Sequence, residues 1–201
     1  MVRRPRKNRS TSSTSPDWFH PFIAIDTETT GPDLWDGMGP DHGSIPCAPF
    51  FISACVVDSP DDGTLYHWEF KVDPTDRTIV WDDALERSLD ELKSLITTPV
   101  TQTGNFRVGG GGAQYGKSST YRQVVFHNAK FDIHALSNLD FNVPDICKSP
   151  VNSGWHRIHD TSLASHVIDS DASHFHRLKT LCLIHFDILD LNQDGNAELI
   201  P

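Results

Sequence analysis

Apolar and polar positions alternate in blocks along the first half of the chain, and each block has the length of a strand or a helix. Phe22 to Ile25 form a continuous apolar run, which is typical of a central strand buried on both faces. Residues 50–57 and 65–72 predict two further strands, and Asp61-Asp62-Gly63 between them is a hairpin signal. The pattern therefore predicts one buried strand followed by a pair of antiparallel strands.

Helical spacing replaces the strand pattern beyond residue 82. Four apolar residues recur every three or four positions and mark one face of a helix, namely Leu85, Leu89, Leu92 and Ile96. Asp82 or Asp83 can cap the N-terminus of this helix, because an aspartate oxygen accepts from the first free backbone N–H groups.

The second half of the chain continues with one strand and three helices. Residues 123–126 predict the strand, and a helix follows to about residue 139. Further helices are predicted over residues 161–168 and around residues 178–182. This order of elements indicates an α/β fold with a mixed sheet.

Two segments lack hydrophobic periodicity and divide the chain into a tail, 1–17, and one domain, 18–201. Residues 1–17 are rich in Arg, Ser and Thr and predict a disordered tail, with a nucleic-acid-binding arm or a transit peptide as alternatives. A Gly-, Ser- and Thr-rich stretch over about 97–121 predicts an inserted surface loop.

Within this stretch, Gly111 to Ser118 match GxxxxGK[ST], but a strand rather than a helix is predicted to follow. A P-loop NTPase is therefore only a remote alternative.

Charge is distributed unevenly over the 201 residues. Five of the 17 basic residues lie within the first ten positions, where no acid occurs, so 12 remain against 27 acids. An acidic body argues against simple electrostatic binding of a phosphate backbone. It suits a cleft whose carboxylates are neutralised by divalent cations.

Cysteine spacing and hydropathy indicate in which cellular compartment the protein is expected. The four cysteines form no CxxC pair, which favours reduced thiols in a cytosolic protein over a disulfide framework. No apolar run approaches the roughly 20 residues that span a bilayer, so no contact with a membrane is expected.

Acidic residues follow two of the predicted strands at the point where each strand ends. Asp26 and Glu28 are two positions apart, so in an extended chain both project to the same side. Asp132 lies one turn into the helix after the strand 123–126, and Asn128 is a natural N-cap of that helix. Carboxylates that converge on one crevice can hold two Mg²⁺ or Mn²⁺ ions about 3.5–4 Å apart, as in metal-dependent phosphodiester hydrolysis.

These segments resemble a known family. Ile25-Asp26-Thr27-Glu28-Thr29-Thr30-Gly31 resembles the first motif of the DEDD 3′→5′ exonucleases, which have a ribonuclease H-like fold. His127-Asn128-Ala129-Lys130-Phe131-Asp132 resembles their second motif, NxxFD. His159-Asp160-Thr161 resembles the start of the helix leading to the third, and Arg177-Leu178-Lys179-Thr180-Leu181 is similar to the LKxL segment of family A DNA polymerase proofreading domains. The resemblance covers about residues 22–190.

The resemblance implies a mixed five-stranded sheet flanked by helices and assigns roles to individual residues. The expected catalytic residues and metal ligands are Asp26, Glu28 and Asp132. The expected substrate-binding residues, which meet the 3′-terminal nucleotide or lie beside it, are Thr27, Thr29, His127 and Asn128. Phe131 is expected to pack, and Asp160 to cap a helix rather than bind metal.

The function that follows from the resemblance is a proofreading exonuclease domain of a polymerase I-like DNA polymerase, phage enzymes included. Expected cofactors are Mg²⁺ or Mn²⁺, and expected partners are a single-stranded or frayed DNA 3′ end and a polymerase domain in the same chain or complex. The expected location is the cytoplasm of a bacterial or phage-infected cell, without secretion.

One departure from the family leaves an alternative open. A fourth Asp, preceded by a Tyr or His, is expected beyond the LKxL segment, and Asp187 and Asp190 follow that segment too closely. The expectation is a domain truncated at its C-terminus. The alternative is a non-catalytic module that binds single strands or holds a partner domain.

Overall fold

The computed structural model describes five ranges of the chain, residues 19–31, 47–60, 62–107, 113–148 and 154–168. Seven further positions between 178 and 198 are described, and side chains within the five ranges are described except at 103–118. The tail predicted over residues 1–17 lies outside the described residues, as do positions 179 and 182 of the helix predicted around 178–182. Positions 178, 180 and 181 are helical.

The described residues form strands, α-helices and one 3₁₀ turn. In chain order they are β1 (Phe22–Thr29), β2 (Pro49–Ser59), β3 (Asp62–Glu69), α1 (Asp83–Thr97), β4 (Val100–Arg107), β5 (Ala113–Thr120), β6 (Gln123–Phe126), α2 (Ala129–Ser137), α3 (Val143–Ile146), the 3₁₀ turn Gly154–Arg157, β7 (Ile158–Asp160), α4 (Thr161–Ile168), β8 (Asp190–Leu191) and β9 (Ala197–Glu198).

Five strands form the main sheet in the order β3-β2-β1-β6-β7. Strands β1, β2 and β3 pair antiparallel, whereas β6 runs parallel to both β1 and β7. The predicted α/β fold with a mixed, helix-flanked five-stranded sheet is confirmed at this level. Strand β7 has only three residues, too few to show a period, and the hydrophobic pattern did not predict it.

The core lies on one face of the sheet. Ile23 and Ile25 of β1 are buried there, next to Ile52 of β2, and the four apolar residues predicted for α1 pack into the same cluster. Asp82 caps α1 by accepting from the N–H groups of Ala84 and Leu85, each at 3.0 Å. The strand and helix predictions are confirmed, but burial of β1 on both faces is not.

The other face of β1 is only partly covered within the described residues. Phe22 and Ala24 are half-buried, and Asp26 and Glu28, two and four positions beyond Ala24, are exposed. Since alternate residues of a strand project to opposite faces, the acids lie on this second face.

The stretch predicted as a surface loop over about 97–121 contains a β-hairpin instead. Strands β4 and β5 pair antiparallel from Val100↔Thr120 to Arg107↔Ala113 as a separate two-stranded sheet. The loop prediction is wrong because backbone pairing alone satisfies the N–H and C=O groups, without an alternating apolar pattern. Lys117 lies inside β5 rather than at the start of a helix, so the context that a phosphate-binding loop requires is contradicted.

Two arginines satisfy the last carbonyl groups of α1, which has no basic residue in its own last turn. Arg122 donates to the Leu95 carbonyl at 2.6 Å and forms a two-pronged ion pair with Asp58, with both bonds 2.7 Å. Arg157 donates to the Ile96 carbonyl at 2.7 Å. The C-terminal end of α1 is thereby attached to the residues that directly precede β6 and β7.

The 3₁₀ turn packs so tightly on α3 that it requires glycine. A Cβ added to Gly154 would lie 1.7 Å from the backbone oxygen of Pro144. We expect Gly154→Ala to lower the free energy of unfolding by about 3 kcal/mol, because one of two backbone segments must move. Urea denaturation measures the loss.

Gly63→Ala is the matched control for Gly154→Ala. A Cβ at Gly63 would meet its nearest atom, Cys55 Sγ, at 3.5 Å, which is ordinary contact. This variant should unfold within about 1 kcal/mol of the wild type. Equal stability of the two variants would contradict the tight contact at Gly154.

No helix among the described residues is long and apolar enough to cross a membrane.

Candidate active site

A crevice opens at the carboxyl end of β1 because the neighbouring parallel strand ends earlier. β1 pairs with β6 only from Phe22 to Ala24, although β1 continues to Thr29. Beyond Ala24, the edge of β1 that faces β6 is free of strand pairing. Crevices of this kind, at the carboxyl ends of parallel strands, are frequent ligand sites in α/β proteins.

Asp132 of α2 fills this free edge and is held there by Thr27. The Asp132 Oδ1 atom accepts from the backbone N–H of Thr27 at 3.1 Å and from its hydroxyl at 2.7 Å. Asp132 is 3% exposed. Both bonds reach Oδ1, so this oxygen fixes the carboxylate of Asp132 to β1.

Asp26 and Asp132 influence each other's ionisation. Burial raises the pKa of Asp132 to about 6; the Thr27 hydroxyl bond opposes this rise, and the nearby charge of Asp26 adds to it. The pKa of Asp26 is also raised, chiefly because its carboxyl group is partly removed from water although the residue is exposed, against the lowering effects of the Thr27 backbone N–H and of His127. Two carboxyl groups from separate motifs are thus close enough for their charges to interact, and a cation between them would favour the ionised form of both.

Glu28 and Thr29 lie at the outer end of the same strand. Glu28 is exposed, and the Thr29 hydroxyl donates to the Gly31 carbonyl at 2.9 Å. Within the described ranges, no three carboxylate, imidazole or thiolate groups surround a common point. The structure therefore brings Asp26 and Asp132 together, and the metal-binding role of Glu28 stays a prediction.

Thr27 differs from its expected role. Its side chain projects to the face opposite Asp26 and Glu28, is 7% exposed, and has its hydroxyl engaged with Asp132. The structure shows Thr27 supporting Asp132, whereas its contact with substrate stays a prediction.

His127 is fixed at the rim of the crevice. Its Nδ1 lies 2.9 Å from the hydroxyl oxygen of Thr161, and that hydroxyl donates to the Phe126 carbonyl at 3.1 Å. Because a hydroxyl has one proton, Thr161 Oγ1 must accept from His127, which assigns the proton to Nδ1. In the neutral ring, Nε2 is then an acceptor.

Asn128 occupies the N-cap position of α2, but its side chain does not cap the helix. It is exposed, has a left-handed backbone (φ 70°, ψ 54°) and makes no side-chain cap bond. The prediction of Asn128 as a side-chain cap is therefore wrong. Its contact with the 3′-terminal nucleotide, which the resemblance implies, stays a prediction.

Asp160 caps two helices rather than one. It accepts from the backbone N–H groups of Ser162 and Leu163 in α4, as predicted. It also accepts from those of Asn128 and Ala129 at the start of α2. The sequence signals only the first cap, because the donors of the second lie 31 and 32 residues away.

A cavity of about 270 Å³ lies on the sheet face that carries Asp26. Its lining includes Asp26, His127, Thr161 and Leu65. Leu178, from the segment that resembles LKxL, lines the same cavity. Residues of all three motif regions and of this segment therefore line one cavity, although Asp132 is not among its lining residues.

The donor set of the crevice fits hard divalent cations. The groups available are carboxylate oxygens, which are the ligands that Mg²⁺ and Mn²⁺ prefer. The raised pKa values of Asp26 and Asp132 show that their charges are poorly compensated by the protein alone.

No protein-family model matches the chain, and no curated protein matches it either.

Proposed function

We propose that the chain is a DEDD-type 3′→5′ exonuclease domain with a ribonuclease H-like fold, as in the proofreading domains of family A DNA polymerases. The reaction is hydrolysis of the 3′-terminal phosphodiester with two divalent metal ions. One observation carries the proposal: Asp132 is held by Thr27 at the end of β1, close enough to Asp26 for their charges to interact. The mixed sheet and the cavity shared with Leu178 are further support.

Asp26, Glu28 and Asp132 would hold Mg²⁺ or Mn²⁺, which lower the pKa of water and neutralise charge on the leaving oxygen. Thr27 binds Asp132 Oδ1 and thereby fixes the position of this carboxylate. Burial of Asp132 excludes water from one side of the site and strengthens electrostatic interactions there.

The substrate is a single-stranded or frayed DNA 3′ end. Asn128 and Thr29 would contact its terminal nucleotide, as the resemblance implies. We assign a polymerase domain in the same chain or complex as partner, because the Leu178 segment resembles that of polymerase proofreading domains. The corresponding location is the cytoplasm of a bacterial or phage-infected cell.

Asp26→Ala tests the site in the full-length protein. With Mn²⁺ and a 5′-labelled single strand, we expect trimming to fall by at least about 100-fold, the scale on which removing a transition-state charge stabiliser acts. Asp90→Ala is the control, since Asp90 is exposed on α1, and it should trim at the wild-type rate. Unchanged trimming by Asp26→Ala would contradict the site.

A second function, a non-catalytic single-strand-binding module, has one observation in its favour. Among the described residues, no three potential ligands surround one point. Such a module would bind a labelled oligonucleotide equally well with divalent ions or with a chelator. Dependence of that binding on Mg²⁺ or Mn²⁺, lost in Asp26→Ala, supports the exonuclease instead.

A further inference from the structure

We infer that Asp160 is a positioning residue, whose single carboxylate fixes the start of α2 against the start of α4 and thereby places Asn128 and Asp132. The importance of that placement for catalysis rests on the proposed function. The placement itself is a property of the fold and can be tested without any activity.

The carboxylate of Asp160 is almost fully used by backbone donors. Oδ1 accepts from Asn128 at 3.1 Å, from Ser162 at 2.8 Å and from Leu163 at 3.3 Å. Oδ2 accepts from Ala129 at 2.9 Å. Four N–H groups from two helix N-termini converge on one side chain, which also lies where both helix dipoles favour negative charge.

This arrangement explains how Asn128 keeps its left-handed backbone. A positive φ is unfavourable for a residue with a side chain, and it persists where surrounding contacts determine it. Asn128 gains no compensation from capping α2 itself. Its N–H group is held by Asp160 instead, so the backbone conformation of Asn128 depends on Asp160.

Thr161, the residue after Asp160, adds further contacts between the start of α4 and the segment that leads into α2. The Thr161 hydroxyl accepts from His127 Nδ1 and donates to the carbonyl of Phe126, the last residue of β6. Asp160 and Thr161 together therefore contact every residue from 126 to 129. Helix α4 has no buried residue of its own, so these bonds form much of its attachment.

The contacts between the starts of α2 and α4 determine the position of Asp132, because Asp132 lies in the first turn of α2. Asp132 lies three positions after Ala129, within the first turn of a nine-residue helix. A shift of the helix start moves Asp132 away from Thr27, since both of its hydrogen bonds are short and directed. The Thr27 backbone N–H is therefore a reporter of whether Asp160 performs this role.

Amide hydrogen exchange of isotope-labelled protein measures that reporter directly. In Asp160→Ala, we expect the Thr27 amide to exchange at least about 10-fold faster relative to the other amides of β1. Asp82→Ala is the matched control, because it removes an aspartate cap with two backbone bonds from α1. It should leave that ratio unchanged even though it also destabilises the fold.

Asp160→Asn keeps the inference testable if the alanine variant does not fold. An amide oxygen in the Oδ1 position retains three bonds, whereas the NH₂ group in the Oδ2 position meets the Ala129 donor. The exchange of Ala129 and Thr27 should then accelerate while Ser162 and Leu163 stay protected. Wild-type protection of Thr27 in both variants overturns the inference.

The exonuclease function and the positioning role of Asp160 can be rejected independently of each other. If Asp26→Ala leaves trimming unchanged but Thr27 loses protection in the Asp160 variants, the exonuclease is rejected and the positioning role stands. If trimming depends on Asp26 but Thr27 stays protected, the positioning role is rejected.

Discussion

Asp132→Asn is expected to stabilise the metal-free protein near neutral pH and to abolish both its response to Mg²⁺ or Mn²⁺ and its trimming activity. The asparagine oxygen can still accept both bonds from Thr27. The substitution removes the charge, which is unfavourable in its buried position beside Asp26, and replaces Oδ2 with an NH₂ group.

The pH dependence follows from the direction of the shift. The pKa of Asp132 is about 6 in the fold, above the unfolded value of 3.8, so the folded state binds this proton more tightly. Stability is therefore greatest below about pH 4 as far as this group is concerned, and it is lost as the pH rises through about 6. The shift of Asp26 has the same sign.

The size of the effect makes it measurable. The rise of the Asp132 pKa from 3.8 to about 6 corresponds to about 3 kcal/mol lost by the wild type between about pH 3 and neutral pH. Urea denaturation at about pH 5 and pH 7.5 should show roughly half of this loss in the wild type and a smaller one in Asp132→Asn. Asp90→Asn, at an exposed helix position, should behave as the wild type.

Divalent cations should restore the stability that the wild type loses as the pH rises to neutral. A cation bound between ionised carboxylates stabilises the folded state by mass action. Millimolar Mg²⁺ or Mn²⁺ should therefore raise the melting temperature of the wild type near neutral pH and leave that of Asp132→Asn unchanged. An equal response of the two proteins would remove Asp132 from the metal site.

The elements that the sequence predicted well are those with a local signal. The central strand and α1 have apolar residues at regular spacing, and Asp82 lies directly before its helix. The hairpin of β4 and β5 was missed because its cross-strand backbone pairing needs no apolar period. β7 was missed because three residues are too few to show one.

The sequence predicted the acidic residues of the candidate site but not the contacts that hold them in place. Strand geometry placed Asp26 and Glu28 on one face from their spacing alone. It also placed Thr27 on the opposite face, and only the fold shows that Asp132 reaches Thr27 there. The second cap formed by Asp160 likewise depends on the parallel pairing of β6 and β7, and no local sequence pattern indicates that pairing.

Arg157→Met is expected to cause the largest loss of stability among these variants. Arg157 is 6% exposed, and its guanidinium donates to the carbonyls of Arg122 and Ile96, both at 2.7 Å. It also lies 5.1 Å from the centre of the Tyr121 ring. Methionine fills similar space but leaves these carbonyls without donors, at about 1–3 kcal/mol each.

The net loss should be about 3 kcal/mol or more, since removal of a buried charge offsets part of the cost. Urea denaturation measures it, with Arg87→Met, an exposed arginine of α1, as the matched control. A loss under about 1 kcal/mol would show that water replaces the missing donors.

Arg157→Lys separates charge from geometry at the same position. A lysine keeps the charge but has no planar fork, so it cannot bond α1 and the residue before β6 in the same way. Its stability should lie between those of the wild type and Arg157→Met. Because Arg157 directly precedes β7, loosening it also frees the strand that ends in Asp160. Faster exchange of the Thr27 amide in Arg157→Lys would therefore show that the support of Asp132 extends from its hydrogen bonds back to the end of α1.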